Sequence, residues 1–442
     1  MRAQGDVNSA RSMRELPLVH TGKPAPFRLV APAYLAALVG WLAAGALLTA
    51  SADDVARLSI SGSEPVSVAH AVGLVFFPFA VVAAAWQLIP VMLRNNPPRP
   101  QLRPLILVLL VAGVPLAYAV AHGRPTLAYL CAAALGAGLV LFLAELGALI
   151  RGAPRERRLA VSRPPLALAA ASVVAAFSLG LGVMADGGPE PLGVPYERVL
   201  LAHIALALVG WLTMMIAAVG RTLVPMLGLA SAAPPRAAPV AEIVLTAGLW
   251  IFIAGVASMV AALVALGCLA MLAALARPAA RFVGVARSGR IGAREGPVLH
   301  VAVGLVFLVE AGVLGICAAA GAVGGRRAAV AGVLLLGLGW AAGVVVGHLG
   351  KLISLSGWGS WPPGPRPTQA ALYPRRGWQV EALLFAVAVE VVALGVLADS
   401  RAATRAGAVL LTVSAVVALL SALETIRRVR GQGASTSLAS SR

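Results

Sequence analysis

The chain has 442 residues, of which 60% are hydrophobic and only 12% charged, and its mean hydropathy is +0.90. So few charges cannot coat a water-soluble body of this length, which excludes a soluble globular protein and leaves a helical membrane protein. The formal net charge of +18 does not point to nucleic acid, because the basic residues are spread over many short segments with no aromatic-interleaved basic patch.

In chain order, residues 1–28 form a polar, basic stretch that includes His20. No small-residue cleavage site follows a short apolar core, so the first span is expected to be a retained anchor. A helix needs about 20 apolar residues to cross roughly 30 Å of hydrocarbon. Windows that satisfy this run over 30–50, 66–93, 103–121, 126–150, 164–184, 198–229, 297–320, 327–350, 378–398 and 403–423. Between Glu242 and Arg277 the chain is uncharged and too long for one crossing at about 1.5 Å per residue. It is expected to be a helical hairpin turning near Gly255 to Ser258, which brings the total to twelve spans. The Ser-rich residues 431–442 are expected to be a disordered tail. The fold class is therefore all-α: a polytopic transmembrane bundle over residues 29–430, flanked by two tails.

The charges support this count. With the N-terminus inside, 28 of the 35 Lys and Arg fall in inner segments, and only Arg57, Arg124, Arg198, Arg326, Arg327, Arg401 and Arg405 fall outside. That bias predicts a multi-pass protein of the cell (inner) membrane with both termini cytoplasmic, its arginines orienting the chain and meeting lipid head groups. Cys131, Cys268 and Cys317 lie inside spans without CxxC spacing and read as packing residues. Loops are short; the longest inner one, around 352–377, carries Trp358 and Trp361 and is expected to cap the membrane surface.

Three spans end on their inner side with related phrases: Gln87-Leu-Ile-Pro90 in span two, Thr222-Leu-Val-Pro225 in span six and Lys351-Leu-Ile-Ser354 in span ten. They are four spans apart, which suggests three arcs of four helices. Spans two and six each place a histidine, His70 and His203, about 20 residues before the proline, or roughly 30 Å along a helix, near the outer face. His300 and His348 lie near the inner face, where they are expected to be close to water, and His122 sits in an outer turn.

Neutral imidazole is the usual ligand of metals and haem iron, so the four span histidines are metal-ligand candidates. His70 and His203, on different helices at one depth, could clasp an iron between them. Gly73 and Gly210, at i+3 and i+7 from those histidines, would leave room for a porphyrin. Each histidine could equally bond a neighbouring carbonyl or interfacial water. Among the acids, Glu145, Glu242 and Glu381 are expected at the inner interface. Glu310 and Glu390 lie near mid-membrane with no basic residue at their depth, and are proton-relay candidates. Arg221 is expected to serve orientation alone.

Twelve spans in three arcs, His70 on span two, Ala202-His203-Ile-Ala-Leu-Ala-Leu-Val-Gly210-Trp211 leading to Leu223-Val-Pro225-Met226, and Gly347-His348-Leu-Gly-Lys351 followed by Trp358 resemble the haem-copper oxidase subunit I superfamily. The likeness is greatest to its divergent cbb3-type-like and NnrS-like members. It implies that His70 ligates a low-spin, b-type haem and that His203 has a metal or haem role, with copper as a further cofactor. The family's paired histidines of span seven and outer-side histidines of span ten are missing, so oxygen reduction at a binuclear centre is not expected. The resemblance thus implies a haem-binding membrane protein for electron transfer, haem handling or response to a small gas such as NO or O2. Its partners would be an electron-donor protein or other membrane subunits. Two other readings stand beside it: a transporter of a small or proton-coupled solute, and a subunit with no chemistry of its own. A two-fold repeat in the structure would favour transport.

Overall fold

The computed structural model describes residues 22–59, 62–156, 163–186, 193–228, 240–288, 295–361 and 366–439. His20 and the rest of the first 21 residues lie outside them. Among the described residues, twelve helices are long and apolar enough to span a bilayer. They are α1 (Phe27–Ala50), α2 (Ser63–Leu93), α3 (Pro100–Ala121), α4 (Pro125–Gly152), α5 (Arg163–Asp186) and α6 (Tyr196–Arg221), then α7 (Val240–Ser258), α8 (Ala261–Arg287), α9 (Gly296–Ala319), α10 (Gly325–Gly359), α11 (Arg375–Leu397) and α12 (Arg401–Arg430). The chain is an integral membrane protein with an all-α bundle. Side chains such as Val108, Leu130, Val140 and Leu383, each more than 60% exposed, face the acyl chains. An even number of crossings puts both ends of the bundle on one side, called here the termini side.

The expected hairpin is present. α7 ends at Ser258, Met259 takes a left-handed conformation (φ 58°), and the Val260 N–H closes the turn on the Gly255 carbonyl at 3.0 Å. Gly255 is needed there because a Cβ would stand 2.6 Å from the Val264 nitrogen of the returning helix. Two boundaries differ from expectation. α10 runs nine residues past 350, to Gly359, so Trp358 is helical. The helix begun by α12 continues to Ala439, so most of the segment from Gly431, expected as a disordered tail, is helical.

Each helix packs on the next in sequence, and α12 packs on α1. The ring therefore closes, and α2, α6 and α10 are the most buried helices within it. These same three helices each contain a π-helical segment: Ala71–Phe76, Leu206–Thr213 and Leu335–Ala342. The wider turn of a π segment frees backbone carbonyls, and such segments concentrate at functional sites. Thr213 meets this locally by donating its hydroxyl to the Leu208 carbonyl at 2.9 Å, while accepting from Trp340 Nε1 of α10 at 2.9 Å. Two of the π segments are thus tied together. At the termini side, Tyr34 Oη donates to Gln87 Oε1 (2.7 Å), and Gln87 Nε2 donates to the Leu352 carbonyl (2.8 Å), joining α1, α2 and α10.

Candidate functional site

A cavity of about 1020 Å³ lies among α2 to α6 and α10, bordered also by α1, the α7–α8 hairpin and the end of α9, and both His70 and His203 line it. Its walls are apolar, with Phe77, Phe142, Phe177 and Trp211 among them. His70 closes the α-helical turn before the first π segment, and His203 stands three residues before the second. The wall here is therefore built by the two helices whose turns widen.

The rings are held in defined orientations. His70 Nδ1 lies 2.8 Å from the Val66 carbonyl of its own helix, and His203 Nδ1 lies 2.8 Å from the Ala176 carbonyl of α5. A carbonyl only accepts, so each Nδ1 carries the proton and donates it. The neutral ring then keeps its lone pair on Nε2. Backbone carbonyls that fix the tautomer in this way are the usual support for an iron- or zinc-binding imidazole. The two rings lie within electrostatic reach of each other.

Of the two glycines proposed to leave room, Gly73 does so: it lines the cavity, and a Cβ there would meet nothing within 4 Å. Gly210 does not. A Cβ at Gly210 would stand 2.6 Å from Ser172 Oγ of α5 and 3.1 Å from Leu249 Cδ2 of α7, so this glycine serves helix packing. The i+7 spacing fails because Gly210 lies inside the Leu206–Thr213 π segment, whose wider turn rotates it off the face that an α-helix would give it.

His300 and His348 line a different part of the molecule, and neither borders the cavity. Both were expected near water, yet they are 0% and 8% exposed. His300 Nδ1 donates to the Gly296 carbonyl (2.9 Å), and its Nε2 stands 2.9 Å from Glu381 Oε2, with Glu381 also fully buried. His348 Nδ1 donates to the Val344 carbonyl at 2.7 Å. Among the described residues no three His, Cys, Asp or Glu side chains converge to hold a metal ion.

The acids expected at the interface are paired and buried instead. Glu145 accepts from Arg103 Nε at 2.8 Å and from Trp86 Nε1 at 2.9 Å. Glu242 pairs with Arg221, which therefore does more than orient the chain. Removing a charge from water is costly without a partner, and each of these carboxylates has one on a neighbouring helix. Glu310 and Glu390 reach each other, side chain to side chain, across α9 and α11. His122 stacks on Tyr118 (4.2 Å between ring centroids) at the exposed end of α3.

Sequence reasoning missed the cavity's rim. Arg124, Arg198 and Arg326 all border it at the side away from the termini, Arg326 paired with Glu197 at 3.0 Å. Their position at the starts of α4, α6 and α10 was visible, but their convergence on one opening depends on how the arcs meet. No protein-family model matches the chain, and no curated protein matches it.

Proposed function

We propose that this chain is a haem-binding membrane protein related to oxidase subunit I, in which His70 and His203 would hold a b-type haem through Nε2. The observation that carries the reading is that two imidazoles from separate helices border one large apolar cavity, each with Nδ1 tied to a carbonyl and Nε2 left unprotonated. Haem iron needs only two axial nitrogens, so the lack of a third converging ligand counts against copper and not against haem. The recurrence every four helices, with α2, α6 and α10 the most buried and each carrying a π segment, supports the kinship and disfavours the two-fold architecture expected of a transporter.

The residues have distinct tasks in this reading. Val66 and Ala176 hold the rings. Gly73 keeps the wall open, and Phe77, Phe142, Phe177 and Trp211 exclude water from it. Arg124, Arg198 and Arg326 offer cations to the carboxylates of an amphipathic ligand whose apolar body lies deeper. Bound haem would supply an iron able to pass electrons or take up a small gas. The surplus of basic residues on the termini side supports an orientation in the cell membrane with that side facing the cytoplasm, which would set the haem nearer the outer leaflet. An electron-donor protein or a second membrane subunit would be the partner. Purified protein supplied with haem should show a Soret band that His70→Ala or His203→Ala weakens. A protein that stays colourless after supplementation contradicts the proposal.

A further inference from the structure

We infer that His300 and Glu381 form a buried proton-binding site, loaded from the termini side by way of Tyr373. The site is separate from the cavity and does not depend on the haem reading. His300 has its Nδ1 proton committed to the Gly296 carbonyl, so only Nε2 faces Glu381 Oε2, 2.9 Å away. A nitrogen lone pair and an anionic oxygen cannot sit that close without a proton between them. Either an imidazolium faces a carboxylate, or a neutral imidazole faces a carboxylic acid; both arrangements hold one proton at the same place. Ser414 Oγ of α12 donates to Glu381 Oε1 at 3.0 Å and fixes the carboxyl.

The surroundings make the site selective for a proton over a larger cation. Phe385 lies 5.2 Å from the His300 ring, and Gly347 of α10 packs directly against it, leaving no room for a hydrated ion. The other titratable groups facing the site come from α10 and the termini-side rim: His348 near His300, then Lys351, Glu295, Arg375 and Tyr373.

Tyr373 supplies the connection. It is 4% exposed, and its Oη has no hydrogen-bond partner among the described residues. It lies against Gly296, 2.9 Å from where a Cβ would stand, and Gly296 carries the carbonyl that holds His300. It lies within electrostatic reach of both Glu295 and Glu381. Glu295, 13% exposed, is held by Lys351 (2.9 Å) and Arg375 (3.1 Å). Burial, reinforced by those two glutamates, raises the Tyr373 pKa, so the phenol stays protonated and can both give and accept a proton. Oη makes no hydrogen bond to either carboxylate, so the proposed route needs rotation of the phenol or a bridging water: a proton arriving at Glu295 would move to Tyr373 while the Tyr373 proton moves on to the His300–Glu381 pair, leaving the phenol unchanged.

The test is an infrared pH titration of the full chain in lipid nanodiscs, with the Glu381 signal assigned by its loss in Glu381→Gln. The expected result is a carboxyl signal that changes over the pH range in which the chain stays folded, as the pair gains or loses its proton. Tyr373→Phe should keep the amplitude but slow the response to a pH jump by about tenfold or more, each tenfold being about 1.4 kcal/mol of barrier. Should Glu381→Gln fail to fold, Ser414→Ala makes the assignment by shifting the same signal. A signal constant over that pH range, or an unchanged rate in Tyr373→Phe, overturns the inference.

Discussion

Arg103 and Glu145 give the sharpest energetic prediction, because burial decides between two very different magnitudes. They are 3% and 8% exposed, with Nε and Oε1 2.8 Å apart. The guanidinium also lies 5.2 Å from the centre of the Trp86 ring, whose Nε1 donates to the other glutamate oxygen. An exposed ion pair contributes about 0–1 kcal/mol. Breaking a buried one from one side costs about 3–5 kcal/mol, because the remaining charge is stranded. Glu145→Gln isolates this effect: the amide oxygen can still accept from Trp86, but Arg103 loses its counter-charge. We expect Glu145→Gln to cost about 3–5 kcal/mol. Arg103→Met should cost less, since a stranded carboxyl can take up a proton. The double variant should recover most of the loss, giving a coupling above about 2 kcal/mol. Denaturant titration in mixed micelles, followed by tryptophan fluorescence and circular dichroism, measures all four corners of the cycle. A Glu145→Gln protein within about 1 kcal/mol of wild type would refute the reasoning, because that is the value of a solvated pair.

Other positions give independent checks. Gly347→Ala puts a methyl group onto the His300 ring and should destabilise the bundle by about 1–3 kcal/mol in the same titration. A Cβ at Gly73 would meet nothing within 4 Å and the residue lines the cavity, so Gly73→Leu should leave stability within about 0.5 kcal/mol, while the haem bound per chain falls in a pyridine haemochrome assay.

Much of the fold could be read along the chain. Span lengths are set by the bilayer and loop charges by orientation, and both act locally, so the twelve crossings and the α7–α8 hairpin were legible. The hairpin turns at Met259, just past the expected window, because Gly255 is used for the close approach of α8 and not for the bend. The π segments were not legible. They arise where the helix accommodates one more residue per turn, which hydropathy does not record, and that is why Gly210 was placed on the wrong face. Glu145, Glu242 and Glu381 were misjudged for another reason. Depth alone puts them near the surface, and their partners Arg103, Arg221 and His300 come from distant parts of the chain. One signal was available: His300 stands four residues into α9 and Glu381 six into α11, so counting from the termini side puts them at one level. The histidines bordering the cavity, by contrast, were legible, because His70 and His203 stand at matching distances from the prolines of α2 and α6.

The central claim is that two imidazoles share one iron, and the coordination state of the reconstituted haem tests it most directly. The account predicts a six-coordinate, low-spin spectrum in the wild type, slow to bind carbon monoxide. His70→Ala and His203→Ala should each give a five-coordinate, high-spin haem that binds carbon monoxide readily. A wild-type spectrum left unchanged by both substitutions would contradict it.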